Sequence, residues 1–355
     1  MADIAERFGR NPLLRPEDVP PSRDGLAVTC LLNPGAFRFR GKTWLLLRVA
    51  EAPVFPEDQV GTLIHDPEAA DGLRVLTFRK DDPRLDCSDP RIFRYDGEIL
   101  LTTLSHLRLA SSRDGIHFEA AATPTLTGQG ALETYGIEDC RVTAIEGRFY
   151  LTYTAVSPAG IAVGLASTAD WEHFERHGVI FPPCNKDCAL FPERVGGRYW
   201  ALHRPASSGI GSNDIWVSRS PDLLHWGDHE CLARVRPGMW DSARIGAGAA
   251  PIRTTAGWLE IYHGADARNR YCLGALLLDG ENPARVIARS QEPIMEPLAE
   301  YERQGFYGNV VFTNGHVVDG DTVTLYYGAS DSVICGATLS IRAILATLGV
   351  DGAAA

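Results

Sequence analysis

One unit recurs along this chain: a short strand, a glycine-centred turn, an aromatic-rich strand and a third strand rich in small residues. It runs RIFRYDGEILLTTLSHLRLASS from Arg91, then RVTAIEGRFYLTYTAVSPAG from Arg141 with its small-residue strand ending at Ala166-Ser167-Thr168. The third copy is LFPERVGGRYWALHRP from Leu190 with DIWVSRSPDLLHW from Asp214. APIRTTAGWLEIYHGA from Ala250 with YCLGALLLD from Tyr271 forms the fourth, and VVFTNGHVVDGDTVTLYYGASDS from Val310 the fifth. NPGAFRFRGKTWLLLRVAE, Asn33 to Glu51, reads as a part-copy able to complete a circle. A period of roughly 50–60 residues is too long for a helical solenoid of ~34 and fits propeller blades of about four strands. The tips Asp96-Gly97, Glu146-Gly147, Gly196-Gly197, Ala256-Gly257 and Gly320-Asp321 lie between β-branched and aromatic runs, as hairpins require. The expected fold is therefore all-β: a five-bladed β-propeller with an extended N-terminal arm, one domain over residues 1–355.

The arm is read at residues 1–30, where Pro12, Pro16, Pro20 and Pro21 favour extended backbone; it is free to wrap the propeller or meet another subunit. Helix is expected only in LSIRAILATLG, Leu339 to Gly349, whose first residue could equally begin a strand. Ser112 to Phe118, Ser167 to Trp171 and Ser218 to Trp226 read as outer turns, with Asp side chains bonding local backbone and aromatics packing between blades. A net charge of −11 argues against a nucleic-acid partner, which needs a basic surface, so any anionic ligand must meet a local cluster of cations. No signal-peptide core and no apolar run near ~20 residues is visible, and a cytoplasmic protein with no membrane partner is expected. The eight cysteines lack zinc-site spacing or disulfide-scaffold density and read as reduced thiols; Cys184 and Cys188 have no further obvious metal ligands.

Polar residues inside otherwise apolar inner strands are the first candidates for chemistry, since strand ends line a propeller's central funnel. Four clusters qualify: Glu138-Asp139-Cys140-Arg141, Asn185-Lys186-Asp187, His203-Arg204-Pro205 and Ser330-Asp331-Ser332. Taken singly, each reads as an ordinary ion pair or turn cap. Together they form a pattern. GIEDCRVTAIEGRFYLTYTAVSPAG from Gly136, PPCNKDCALFPERVGGRYWALHRP from Pro182, GWLEIYHG from Gly257, LLLDGENPARVIAR from Leu276 and LYYGASDS from Leu325 closely resemble the β-mannoside phosphorylases of glycoside hydrolase family 130, in the family's order, from about Asn11 nearly to the C-terminus.

That resemblance implies a hexosyl-transferring enzyme that cleaves β-mannosides with inorganic phosphate, inverts the anomeric centre and releases α-mannose 1-phosphate. It implies Asp139 as the general acid, its proton passing in some members through a sugar hydroxyl. Cys140 stands where the family's motif has Pro, which removes a backbone constraint beside the acid. The resemblance places Lys186, Arg204, His263 and Arg48 on phosphate, and Asn33, Arg48 and Asp331 on the mannosyl unit; Asp89 and the pair Ser105-His106, in the blade before Asp139, are expected to border the acceptor sugar. The chemistry agrees: an inverting hydrolase needs a second carboxylate to activate water, whereas phosphate is already a nucleophile and needs cations. No metal or organic cofactor is expected, phosphate being a co-substrate. The partners are a β-manno-oligosaccharide and phosphate, with homo-oligomers frequent in the family. The N-terminal pattern resembles the branch acting on β-1,2-linked mannosides. A β-1,4-mannosyl phosphorylase and a β-mannoside hydrolase on the same scaffold remain open, with a non-catalytic interaction platform as the non-enzyme alternative; an arabinanase- or fructosidase-type enzyme, which Asp86, Asp89, Asp139 and Asp331 alone would admit, is excluded by the motif order.

Overall fold

The computed structural model describes residues 3–206 and 209–350. The chain is all-β, and five antiparallel sheets succeed one another along it. The first takes Leu26–Phe39, Lys42–Pro53, Leu104–Ser112 and Glu119–Ala120. Ile137–Ile145, Arg148–Ser157, Gly160–Thr168 and Glu175–Phe181 make the second; Asn185–Leu190, Tyr199–Pro205, Ile215–Ser220 and Gly227–Ala233 make the third. In the fourth the leading strand is broken into Arg244–Gly246 and Ile252–Thr254, both paired with Gly257–Ala265, and Tyr271–Leu278 and Val286–Arg289 follow. The fifth is Val311–Asp319, Thr322–Ala329 and Val333–Ser340, with Glu6–Arg7 from the chain's start as its outer strand.

Each sheet packs on the next and the fifth packs on the first, through Leu26–Phe39 against Val311–Asp319. The core is divided accordingly. Phe37, Leu46, Ile137 and Leu151 cluster between the first and second sheets; Ile145, Leu165, Leu190 and Tyr199 between the second and third; Leu202, Ile245 and Trp258 between the third and fourth. Ile261, Leu273 and Leu325 cluster between the fourth and fifth, and Leu45, Leu47, Tyr326 and Ile334 between the fifth and first. Burial on both faces explains why the middle strands read as continuous apolar runs. The outer turns behave as the sequence suggests. Asp114, Asp170 and Asp222 each accept two backbone N–H groups and meet the Nδ1 of His117, His173 and His225. Trp171 stacks on Phe37 at 3.8 Å, between sheets.

Three features differ from the sequence reading. The unit beginning at Arg91 is split: its last strand, Leu104–Ser112, belongs to the first sheet, whereas Ile92–Tyr95 and Glu98–Leu101 form a separate hairpin, with Asp96 and Gly97 at φ 48° and 86°, that pairs with Leu85–Asp86. Residues 54–103 are thus an insertion between the second and third strands of the first sheet, carrying also the hairpin Gln59–His65 with Leu73–Arg79. The Asn33 to Glu51 part-copy supplies that first sheet's leading strands instead. A hairpin's alternation is a local signal, whereas its outer partner is chosen by tertiary contacts. Secondly, Leu26–Phe39 starts inside the stretch read as an arm, and Glu6–Arg7 is a strand. Finally, Leu339 neither opens the helix nor begins a strand: it lies near the end of the strand Val333–Ser340, and Ser340 caps the helix Ile341–Thr347 by accepting the Ala343 N–H. Among the described residues all eight cysteines are unpaired, and no helix is long and apolar enough to cross a membrane.

Candidate active site

Three leading strands break register at matching points, between Leu32 and Gly35, Glu138 and Arg141, and Lys186 and Ala189. Such bulges re-aim a side chain out of the ladder. Each carries one polar residue with left-handed backbone: Asn33 at φ 34°, Asp139 at 51° and Asp187 at 54°. Asn and Asp tolerate this conformation better than other residues with a Cβ. A fourth break, at Thr313 and Gly315 in the fifth sheet, brings Asn314 Nδ2 to the Asn33 carbonyl at 3.2 Å. Ser330 and Asp331, also at positive φ, turn between the last two long strands. Gly328 leaves no room for a Cβ beside Asn33.

Asn33, Asp139 and Asp331 border a cavity of about 300 Å³ together with Arg48 and Lys186. Arg48 organises its floor: Nη2 donates to Glu138 Oε1 (2.7 Å), Nη1 to Asp139 Oδ1 (3.1 Å) and Nε to Ser105 Oγ (3.0 Å). Asn33 Nδ2 donates to the same Asp139 oxygen at 3.0 Å, and Lys186 Nζ lies 3.9 Å from Oδ2. Burial opposes ionisation of Asp139, yet Arg48, Lys186 and Asn33 outweigh it and hold the carboxyl below its ordinary range. Glu138 goes the other way, burial outweighing Arg48. Asp331 is pushed up to about 6 by burial against Arg48, with Asp139's charge adding. Cys140 is fully buried in the cluster between the first and second sheets and packs there as a small apolar residue.

Behind Lys186 lies a second knot of charge. Lys186 and Arg204 are cross-strand partners; Asp187 Oδ1 accepts Arg141 Nη2 at 3.3 Å, and its Oδ2 lies in ion-pair range of Arg204 Nη2 (3.1 Å) and His263 Nε2 (3.3 Å). Arg141 is itself fixed by the carbonyls of Gly248, Ala247 and Asp139. Gly246 abuts Asp187 and His263 so closely that no side chain fits. Arg204 Nε and Nη1 are buried without a hydrogen-bond partner among the described residues. Burial drives His263 down to about 4 despite Asp187, so its imidazole is neutral near pH 7, not the cation expected from the sequence.

The structure thus brings Asn33, Arg48, Asp139, Lys186 and Asp331 together, with Arg204 and His263 one layer behind. Arg48 sits with the carboxylates instead of with Arg204. Asp89 is outside the cavity lining but grips Arg91, which lines it. His106 is not at this site. It pairs across the sheet with Val49, faces away from Arg48, and borders a separate cavity near Glu51 and His65; its neighbour Ser105 is the residue that touches Arg48. The sequence reading missed Arg91, Tyr271, Phe306, Tyr307 and Phe312 in the lining. A signal existed for two of them, since Gly305-Phe306-Tyr307-Gly308 sets aromatics between glycines outside any strand run.

Known proteins place this arrangement. The family described as beta-1,4-mannooligosaccharide phosphorylase, glycoside hydrolase family 130, matches residues 92–349. A beta-1,2-mannobiose phosphorylase of Listeria innocua is 43% identical over 349 residues, 97% of this chain and 98% of that protein. A 1,2-beta-oligomannan phosphorylase of Thermoanaerobacter sp. is 41% identical over 244 residues, covering 68% of this chain and 80% of its own length. The solved structure of the Listeria innocua enzyme in complex with beta-1,2-mannobiose superposes with a TM-score of 0.94, at 43% identity, over 98% of this chain and 99% of that one. The chain belongs to glycoside hydrolase family 130.

Proposed function

We propose that the five sheets are the blades of a β-propeller whose axial funnel is the cavity at Asp139, and that the protein is an inverting phosphorylase of β-1,2-linked mannosides. Phosphate attacks the anomeric carbon, the β-mannosidic bond breaks, and α-mannose 1-phosphate and a shortened sugar leave. The observation that carries this reading is the pairing of one cation-held carboxylic acid with buried, unsatisfied cationic donors. Asp139 lies 3.9 Å from Lys186, and Arg204 beside it has two guanidinium nitrogens without partners among the described residues. A hydrolase would use a second carboxylate as base, and Glu138 and Asp331 also line the cavity; what favours phosphorolysis is the cationic pocket, which serves an anionic nucleophile.

In this reading Lys186 and Arg204 hold phosphate, and Asp187 fixes Arg204, His263 and Arg141 around it. Asn33 and Asp331 orient the mannosyl unit, while Arg48 aims Asp139. Phosphate itself prepares the acid. Its negative charge beside Lys186 offsets the cations that keep Asp139 ionised, so the carboxyl takes up a proton once both substrates are bound. That proton goes to the departing oxygen, directly or through a sugar hydroxyl. No organic cofactor has a role in this scheme, and the unpaired thiols suit a reducing, cytoplasmic setting.

The test is release of α-mannose 1-phosphate from β-1,2- and β-1,4-mannobiose, with and without phosphate. Phosphate-dependent product mainly from the β-1,2 sugar is expected. Free mannose formed equally in both buffers would move the assignment to a hydrolase, and preference for the other sugar would move the linkage.

A further inference from the structure

We propose that Arg91 and Tyr307 set the length of the mannoside this enzyme accepts, by walling off the leaving-group side of the cavity beyond a single sugar ring. The proposal rests on the phosphorylase reading above. In an inverting displacement the nucleophile and the leaving group occupy opposite faces of the anomeric carbon. Lys186 and Arg204 both come from the third sheet. The first and fifth sheets are neighbours of each other but not of the third, and the segments they present are the insertion and the loop before Val311. The leaving sugar therefore lies toward Arg91, Ile92 and Thr102 on the insertion and Phe306 and Tyr307 on the loop, all of which line the cavity.

Arg91 and Tyr307 meet across that side. The guanidinium carbon stands 4.4 Å over the Tyr307 ring, joining two segments more than 200 residues apart in sequence. Each side is tethered. Arg91 is gripped by Asp89 through Nε at 3.0 Å and Nη2 at 2.8 Å, and its carbonyl accepts the Thr102 N–H at 3.1 Å. The Tyr307 N–H donates to the Ser330 carbonyl at 3.1 Å, and the Phe306 N–H to Ser332 Oγ at 2.7 Å, so the loop is tied to the turn bearing Asp331. A space of about 300 Å³ is at the small end for ligand pockets, the scale of a short sugar. Asp89 then acts as a positioning residue for this wall, not as a sugar ligand.

The experiment compares kcat/KM for β-1,2-mannobiose and β-1,2-mannotriose, with saturating phosphate, in the wild type, Arg91→Ala, Tyr307→Ala and Tyr307→Phe. The wild type is expected to favour the disaccharide by roughly tenfold or more, the scale of steric discrimination in a fixed pocket. Both alanine variants raise the trisaccharide-to-disaccharide ratio several-fold, and Tyr307→Phe, which keeps the ring under Arg91, leaves it near wild type. Because the readout is a ratio, a general loss of folded enzyme does not mimic the effect. Phosphate-dependent turnover with equal use of both sugars by the wild type, or an unchanged ratio in both alanine variants, overturns this proposal alone. Absence of phosphate-dependent product from either sugar overturns the β-1,2-mannoside phosphorylase reading and this proposal with it.

Discussion

Arg48 gives one guanidinium to three partners, Glu138, Asp139 and Ser105, and this makes Asp139 both well oriented and reluctant to hold a proton. The acid's role is therefore separable from its structural ties. Asp139→Asn keeps an oxygen for Asn33 and Arg48 but cannot donate as an acid. Its kcat should fall by about 10²–10⁴-fold, with the thermal midpoint close to wild type. Near-normal turnover would remove Asp139 from the chemistry. Arg204→Ala tests the other half. If Arg204 grips phosphate, the phosphate KM rises far more than the mannoside KM; equal loss in both, with a lowered midpoint, would mark it as an ion pair that only holds Asp187. At this scale the sequence was informative about position: Asp139 and Lys186, each singled out as a polar residue in an apolar strand, line one cavity. It was silent on facing: Ser105 and His106 are adjacent, and only the pairing of His106 with Val49 tells which of them turns toward Arg48.

The fourth sheet's leading strand is interrupted between Gly246 and Ile252, and the interruption is bridged from the next strand by Glu260. Its Oε1 accepts the Gly248 N–H at 2.8 Å while Gly248 returns its carbonyl to Arg141, so the carboxyl braces the strand that backs Asp187. Glu260 is 1% exposed, Oε2 has no partner among the described residues, and burial pushes its pKa from 4.5 up to about 8. The folded protein thus holds a proton that the unfolded chain releases. Stability from this group is present below pH 4.5 and is lost as pH rises toward 8, by up to about 1.4 kcal/mol per pH unit. Glu260→Gln keeps the acceptor without the titration. Its thermal midpoint should gain on the wild type between pH 5 and pH 8, and a constant difference across that range would contradict a buried, protonated Glu260. Breaks of this kind were illegible beforehand. The hairpin tips announced themselves, as Glu146-Gly147 does at φ 50° and 81°. A bulge or a gap instead leaves the alternation intact on both sides and shows only as a polar residue out of phase.

Across the whole molecule, the last sheet is completed by the first strand, for Glu6 pairs with Thr338 and Arg7 with Ala337. Arg7 is the clasp. Its Nε donates to Glu302 Oε1 at 2.7 Å, and Nη2 to Asp3 Oδ2 at 2.9 Å and to the Glu296 carbonyl at 2.6 Å. Glu302 is fully buried; it also receives Tyr327 Oη and the N–H groups of Leu298 and Ala299, and its carbonyl holds the Val310 N–H. The segment that presents Phe306 and Tyr307 to the cavity therefore hangs from a carboxylate neutralised by the far end of the chain. Arg7→Ala strands that charge, a change expected to cost about 3 kcal/mol and several degrees of thermal midpoint. Removing the exposed Arg23–Asp71 pair should shift stability by less than about 1 kcal/mol, because water already screens it. Arg7→Ala should also raise the mannoside KM more than the phosphate KM, since the loop it loosens borders the sugar and not Lys186 or Arg204. Equal, small effects of the two substitutions on the midpoint would show that the sheets are held closed by their apolar clusters alone.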